Sequence, residues 1–199
     1  MASYRNSRFF SIALVLIVIA IAIVGLVYLA QIIFFPGSKG NVPQIETSQA
    51  NLTNTSADRS VSMTVRGRIV ANEDFRSYQI MISPNQRVFT VYKSYLDQPI
   101  DNITLGNNTP AYEQFVYALN RAGLMNASEL TGSSNDTRGI CATGFLYEFQ
   151  MYKSNKSIKK LWSTSCSRSS GSLKVNVSPS MNLFTVQIPG LQEKLSSVW

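Results

Sequence analysis

The longest apolar run of the chain lies near its N-terminus. Residues 11–35 contain no charged side chain and a single amide, Gln31. About 20 apolar residues in a helix cross the hydrocarbon core of a bilayer, whereas a lone strand there would leave its backbone polar groups unsatisfied. The pattern therefore predicts one transmembrane helix over residues 11–35, which ends at Pro36 and Gly37.

Charge around this run predicts its orientation. Arg5 and Arg8 precede it, and the first acidic residue of the chain is Glu46. Basic residues stay on the cytoplasmic side, so residues 1–10 are predicted to be cytoplasmic and everything after residue 35 to lie outside the plasma membrane. A cleaved signal peptide is the alternative, but its apolar core is typically shorter, about 7–15 residues, and ends in a small-residue cleavage site. The interpretation is a retained signal-anchor.

Residues 36–60 form a polar stretch without apolar periodicity. Such a segment buries too little surface to offset the entropy lost on ordering, which predicts a flexible linker. The alternative is an extra strand packed on the following domain.

Residues 61–199 are predicted to form one extracytoplasmic α+β domain. Apolar residues follow Thr109 and Pro110 at helical spacing, at Tyr112, Phe115, Val116 and Leu119, and Gly123 is the predicted end of that helix. Alternation predicts strands over residues 61–71, 78–83, 87–93, 141–151, 158–166, 173–177 and 183–188, followed by a terminal amphipathic stretch. This order favours a mostly antiparallel sheet with one main covering helix.

The hairpin around residues 153–156 has two possible registers. In the favoured register Cys141 lies opposite Cys166, Phe145 opposite Trp162 and Glu148 opposite Lys159. A tight turn centred on residues 155–156 would instead separate the cysteines by four residues along the ladder. Both registers keep the cysteines on one face.

The two cysteines both lie in the part predicted to be exported. An isolated pair in an oxidising compartment most often forms a structural disulfide, which predicts a Cys141–Cys166 bond. Two buried thiols are the alternative, and the absence of a C-x-x-C motif disfavours a redox centre.

Composition narrows the possible chemistry. The 199 residues include no histidine and two cysteines, which excludes Ser-His and Cys-His catalysis by this chain alone and the common zinc and iron–sulfur sites. No phosphate-binding or dinucleotide motif occurs. We expect neither a metal nor a cofactor.

A basic patch is predicted at the same hairpin, where four lysines cluster: Lys153, Lys156, Lys159 and Lys160. It is a candidate contact for an anionic ligand such as an envelope polymer. The alternative is a solvated hairpin whose charges prevent edge pairing. The exported part is only mildly basic, so nucleic acid is not the expected partner.

The leading hypothesis is a non-enzymatic module that binds an envelope or surface partner protein or an anionic polymer. The alternative is a membrane-tethered hydrolase. It would use Ser157 and Lys160, which match S-x-x-K, or a pair of the available carboxylates Glu73, Asp74, Asp97, Asp101 and Glu113.

Eight Asn-x-Ser/Thr sequons lie in the predicted exterior part, at Asn51, Asn54, Asn102, Asn107, Asn126, Asn135, Asn155 and Asn176. They indicate either glycosylation or simply an uncharged polar surface.

Overall fold

A computed structural model describes residues 19, 21–25, 48–128, 130–167, 171–196 and 198. The chain divides into two compact units, residues 1–45 and 46–199. The transmembrane helix predicted over residues 11–35 falls mostly outside the described residues. Residue 19 and residues 21–25 are helical, and within the part of the chain that is described no helix has the length and apolar character needed to cross a membrane.

The second unit is a six-stranded sheet with helices. In chain order its elements are α1 (Ser48–Thr53), β1 (Arg59–Arg66), β2 (Arg76–Ile82), β3 (Gln86–Lys93), β4 (Gln98–Gly106), α2 (Thr109–Arg121), a 3-10 turn (Gly132–Asn135), β5 (Leu146–Lys153), β6 (Lys156–Thr164), α3 (Ser178–Thr185) and α4 (Leu191–Leu195). The strand order is β4-β3-β2-β1-β5-β6, and every neighbouring pair is antiparallel. The predicted α+β class is confirmed.

One face of this sheet carries the core, and we call it the covered face. On β1 it presents Val61, Met63 and Val65, which belong to one buried cluster with the predicted apolar stripe of α2. The stripe residues Tyr112, Phe115, Val116 and Leu119 are all buried. Helix α3 adds Phe184, whose ring meets that of Phe115 edge-on with 5.0 Å between centroids. The covered face is therefore closed by α2 together with the C-terminal helices.

The other face, which we call the open face, carries the alternate residues of each strand. On β1 these are Ser62, Thr64 and Arg66, because successive side chains of a strand point to opposite sides. Polar side chains pair across the strands there: Gln79 Nε2 donates to Thr64 Oγ1 over 3.1 Å, and Asn102 Nδ2 donates to Thr90 Oγ1 over 2.8 Å.

The predicted linker over residues 36–60 is wrong for its second half. Residues 48–53 form α1, whose Leu52 is fully buried in the core cluster. Arg59 is the first residue of β1, and its side chain donates from Nη1 to Asn51 Oδ1 over 2.9 Å. A buried apolar side chain and hydrogen bonds from Arg59 and Lys159 fix this segment to the domain, and none of these produces a periodic pattern in the sequence. Residues 36–47 lie outside the described residues.

Both ends of α2 lie where the sequence predicts them, but the N-cap residue is one position earlier than predicted. The capping oxygen comes from Asn108, whose Oδ1 accepts from the Ala111 amide over 2.9 Å, and not from Thr109. Asn and Thr are both good N-cap residues, so the pattern locates the start of the helix only to within a residue. Gly123, with φ of +80°, follows its C-terminus.

The last two predicted strands are wrong. Leu173 makes only an isolated bridge, to Ala127. Residues 183–188 instead overlap the end of α3, which starts with Pro179 in its first turn and buries Phe184. A short apolar run fits a buried strand and a buried helix equally well, and tertiary packing decides between them. Strand β4, which no pattern predicted, is an edge strand with mostly exposed side chains.

The β5–β6 hairpin has neither predicted register. Its turn is Ser154–Asn155, with φ of 47° and 64°, as two-residue hairpin turns require. Glu148 lies opposite Trp162, and Phe149 opposite Leu161. The observed register differs from the favoured one by three residues and from the alternative by one, and an odd shift moves every side chain of a strand to the other face. As a result Leu161, and not Trp162, joins the core cluster. Trp162, which is 1% exposed, and Lys160 lie with Glu148 on the open face.

Candidate functional site

A disulfide closes one end of the β5–β6 hairpin. Cys141 and Cys166 are bonded, as the sequence predicted, with their Cα atoms 5.7 Å apart. They precede β5 and follow β6, so the slipped register does not prevent the bond. Gly144 lies against it: a Cβ there would overlap Ser165 Oγ and approach both sulfur atoms. Glycine is needed at this position because the two chain segments pass so close together.

A cavity of about 540 Å³ opens on the open face beside the disulfide, and we call it the open-face cavity. Its walls are loops that follow β1, β3 and the 3-10 turn. The Ile69 amide donates to the Ala142 carbonyl over 2.8 Å, which joins the first of these loops to the segment before β5. The cavity is therefore enclosed by segments far apart in sequence.

The floor of the cavity is a chain of four alternating charges. Arg66 donates from Nη1 and Nη2 to the two oxygens of Asp97, over 2.8 and 3.0 Å, and from Nε to Glu148 Oε2 over 3.1 Å. Glu148 Oε1 accepts from Thr137 Oγ1 over 3.2 Å and forms an ion pair with Lys160 Nζ. Lys160 also donates to Thr137. We call Asp97, Arg66, Glu148 and Lys160 the charge network.

Burial differs strongly along the charge network. The Glu148 side chain is 5% exposed, whereas Arg66, Lys160 and Asp97 are 30%, 31% and 44% exposed. The hydrogen bond to Asp97, with smaller electrostatic contributions from Asp97 and Glu148, raises the pKa of Arg66, although partial burial opposes the shift. The buried carboxylate is thus held between two cations, while the other three groups reach the cavity.

One wall of the cavity is aromatic. Phe75, which is buried, stacks on Tyr95 with ring centroids 4.1 Å apart and planes inclined by 21°. The Tyr95 hydroxyl accepts from the Val70 amide over 3.0 Å and donates to the Val70 carbonyl over 2.8 Å. Its ring is therefore fixed at both its face and its tip. Ile69, Val70 and Leu96 are exposed apolar neighbours in the same two loops.

A second ion pair lies on the loop beside the cavity. Arg138 contacts Asp136, and these hydrogen bonds lower the pKa of the Asp136 carboxyl to about 2. Next to them, Asn135 Oδ1 accepts from Trp162 Nε1 over 3.0 Å, which attaches the loop to β6 on the open face.

The four predicted lysines do not share one surface. Lys153 and Lys156 face each other at the last rung of the hairpin and are exposed. Lys159 lies on the covered face and donates to Ser48 Oγ of α1 over 2.6 Å. Lys160 lies on the opposite face, in the charge network. Adjacent strand residues alternate in direction, so the run Lys159–Lys160 cannot form a patch.

The predicted catalytic groups are also separated. Ser157 is exposed near the hairpin turn, whereas Lys160 Nζ contacts Glu148 and Thr137. Of the five carboxylates, Asp97 alone lines the open-face cavity; Asp101 pairs with Lys194 over 3.5 Å, and Glu73, Asp74 and Glu113 are exposed. Among the described residues no group of three acidic or cysteine side chains could hold a metal ion.

Sequence analysis missed Arg66, Glu148 and Tyr95 as site residues. One signal was present: Glu148 is a single acid within an otherwise aromatic and apolar strand segment, and a charge at such a position usually needs a partner. The favoured register indicated Lys159 as that partner, whereas the structure pairs Glu148 with Arg66 and Lys160.

Comparison with known proteins assigns no family. No protein-family model matches this sequence, and no curated protein is significantly similar to it.

Proposed function

We propose that this protein is a membrane-anchored binding module whose ligand occupies the open-face cavity. Residues 11–35 would be the anchor, residues 1–10 cytoplasmic, and the sheet domain displayed outside the plasma membrane. The observation that carries the proposal is the cavity itself: a concave site with a fixed aromatic wall and polar groups that are already positioned by one another. Such pre-organisation lowers the entropy lost on binding.

The state of the carboxylates favours binding over catalysis. Glu148 accepts hydrogen bonds from a guanidinium, an ammonium and a hydroxyl, and Asp97 accepts two from the same guanidinium. A general acid needs a proton to donate, and a nucleophile needs an accessible oxygen. Glu148 is buried and surrounded by donors, so it supports the structure of the site rather than a reaction.

The hydrolase alternative has one observation in its favour. Asp97 and Glu148 line the same cavity, and a pair of carboxylates is the minimal machinery of glycoside hydrolysis. Arg66 bonds to both, however, and Lys160 to Glu148, so the two cations balance the charge of the pair. Cleavage of a bound substrate is the result that would favour this alternative.

The anchored topology is tested on intact cells that produce the full chain. Protease added outside should remove the sheet domain while a tag before residue 1 stays protected, and mass spectrometry should find the N-terminus retained. A sheet domain that resists protease in intact cells but not after lysis would contradict the proposed display. A mature chain that starts after residue 35 would contradict the anchor.

Binding at the cavity is tested by photo-crosslinking in the same cells. A benzophenone side chain replaces Ile69, an exposed residue of the cavity, and in a matched control it replaces Val186, which is 70% exposed on the end of α3. An adduct that forms at position 69, not at position 186, and disappears in Arg66→Ala supports a cavity ligand. Equal yields at both positions, or none, would contradict it.

The exposed pair Lys153 and Lys156 remains a proposed second contact, for an anionic polymer. Attraction between exposed charges falls as salt rises. Retention of the full chain on an anionic polymer should therefore be lost at high salt and reduced in a Lys153→Gln, Lys156→Gln double variant. Retention that persists in high salt would exclude the lysines as its cause.

A further inference from the structure

We infer that the open-face cavity takes a neutral carbohydrate, a short uncharged stretch of a glycan. This inference rests on the proposed function, because it names the ligand class of the same site. Three features of the cavity carry it: a fixed aromatic ring, exposed donors and acceptors that alternate, and the absence of net charge on the network.

The aromatic ring of Tyr95 provides an apolar platform. It is 44% exposed at the cavity wall, while Phe75 supports it from behind and Val70 holds its hydroxyl. The C–H groups on one face of a pyranose ring pack flat on an aromatic ring of this kind. Because both ring and hydroxyl are already fixed, little side-chain entropy is lost when a sugar stacks there.

The exposed members of the charge network match hydroxyl groups. Asp97 offers carboxylate oxygens as acceptors, and Arg66 and Lys160 offer N–H donors; each of the three is about one-third to one-half exposed. A hydroxyl group both donates and accepts, so neighbouring hydroxyls of one sugar ring can bond to an acceptor and a donor side by side. An apolar peptide side chain would displace water from the exposed parts of these groups without replacing its hydrogen bonds, which costs free energy.

The charge balance disfavours an anionic ligand. The two cations Arg66 and Lys160 are matched by Asp97 and Glu148. Arg138, which also lines the cavity, is matched by Asp136 on the same loop. An anion would have to compete with Asp97 for the guanidinium, and a cation would have to compete with Arg66 for the carboxylate. A neutral polar molecule binds without breaking either pair. The cavity volume also lies within the range of known ligand sites, roughly 300–1,000 Å³.

The test measures binding by the full chain in phosphatidylcholine nanodiscs, which avoids sugar-based detergents. The probes are four neutral oligosaccharides (cellotetraose, mannotetraose, fully N-acetylated chitotetraose and maltotetraose), an acidic one (trigalacturonate) and a tetra-alanine peptide. Ligand-observed NMR and calorimetry should show that at least one neutral tetrasaccharide binds, and at least tenfold more tightly than trigalacturonate or the peptide.

Variants at Tyr95 link that binding to the aromatic wall. Tyr95→Ala should weaken it at least tenfold, whereas Tyr95→Phe, which keeps the ring, should change it less than threefold. Tyr117→Ala is the matched control, because Tyr117 is 42% exposed and lies on α2, away from the cavity. If Tyr95→Ala lowers the melting temperature markedly, Ile69→Asp tests the same wall without removing any side-chain hydrogen bond.

The outcomes separate the inference from the proposed function. If no neutral tetrasaccharide binds but position 69 still forms its specific adduct, the carbohydrate inference is overturned and the binding function stands. If neither occurs, both fail. Tighter binding of trigalacturonate or of the peptide, or equal loss in Tyr95→Phe and Tyr95→Ala, also overturns the inference. Cleavage of a bound tetrasaccharide would support the ligand class but replace the binding module with the hydrolase.

Discussion

The two faces of the sheet are formed by the same strands but differ in the interactions that stabilise them. On β5 the covered face carries Phe149 and Met151, while the open face carries Glu148 and Gln150. The covered face gains stability from apolar area removed from water, at roughly 25 cal/mol per Å². The open face also buries Trp162, but most of its strand residues are polar and satisfy one another, with a net contribution of about 1 kcal/mol per hydrogen bond. The apolar core and the proposed ligand site thus lie on opposite sides of the sheet.

This division explains why the open face can carry a binding site. Changes to exposed groups such as Tyr95 or Asp97 alter the cavity without disturbing the apolar cluster under α2 and α3. The open face also has buried side chains, among them Glu148 and Trp162. The comparison therefore predicts large stability losses on the covered face, and on the open face small losses at exposed positions and larger ones only at buried groups and at the disulfide.

The largest expected effect is at Phe149 on the covered face. It is 1% exposed and packs near Phe184, with ring centroids 6.0 Å apart. Phe149→Ala should lower the free energy of unfolding by about 3–5 kcal/mol, since it removes a buried ring and leaves a cavity. Gln150→Ala, one residue later on the open face, should cost less than about 1 kcal/mol. Chemical denaturation of both variants measures the difference, and similar losses would contradict the division between the two faces.

How far the sequence predicted the fold depends on the kind of pattern. The stripe of α2 and the β2–β3 hairpin were correct because each repeats one periodicity over several residues and ends in a specific turn or cap. α1 was missed because Leu52 is its one buried apolar residue and its other attachments are polar contacts, which leave no periodic pattern. The strand predicted over residues 183–188 was wrong because that run is too short to show a period, and Pro179, just before it, starts a helix.

The candidate site was predicted less well, for a reason that one hairpin illustrates. The residues of the charge network come from β1, β5, β6 and the loop before β4, so they meet only after the strands pair. The predicted register placed Lys159 opposite Glu148. In the structure Trp162 lies opposite Glu148, a shift of three residues, and this places Lys160 on the face of Glu148, where the two side chains form an ion pair. The disulfide was predicted correctly because the chain has two cysteines, which allow only one pair.

The disulfide should give the second-largest effect, and it acts on the open-face side. Replacing both Cys141 and Cys166 by serine should lower the free energy of unfolding by about 3 kcal/mol, from the entropy of closing a loop of this length. The intact protein should be two hydrogens lighter by mass than the reduced chain. Denaturation of the oxidised and reduced forms measures the effect. Two thiols that react with an alkylating agent before reduction would show that the bond is absent.

Alkaline pH should lower the free energy of unfolding through buried tyrosines of the covered face. Burial raises the pKa of Tyr78 to about 12 and that of Tyr112 further. In the unfolded chain these phenols lose their protons near pH 10, so the unfolded state binds fewer protons than the folded state above that pH. The free energy of unfolding therefore keeps the full contribution of these neutral phenols below pH 10 and loses it as the pH rises through 12. For Tyr78 the loss is about 2–3 kcal/mol. Tyr78→Phe should make stability between pH 10 and 12 less dependent on pH; an unchanged slope would contradict burial of the phenol.

The smallest effects should come from the charge network, and they should differ between its two carboxylates. Glu148→Gln replaces an acceptor oxygen with an N–H donor that faces Arg66 or Lys160, and should lower the free energy of unfolding by about 1–2 kcal/mol. The loss is smaller than that for breaking a fully buried pair because both cations reach solvent. Asp97→Asn, at the exposed end, should cost less than about 1 kcal/mol. Denaturation at low and high salt distinguishes them, since only the exposed pair is strongly screened. If Asp97→Asn proved the more destabilising variant, the network would depend on its exposed end, and Glu148 could no longer be regarded as the buried support of the cavity.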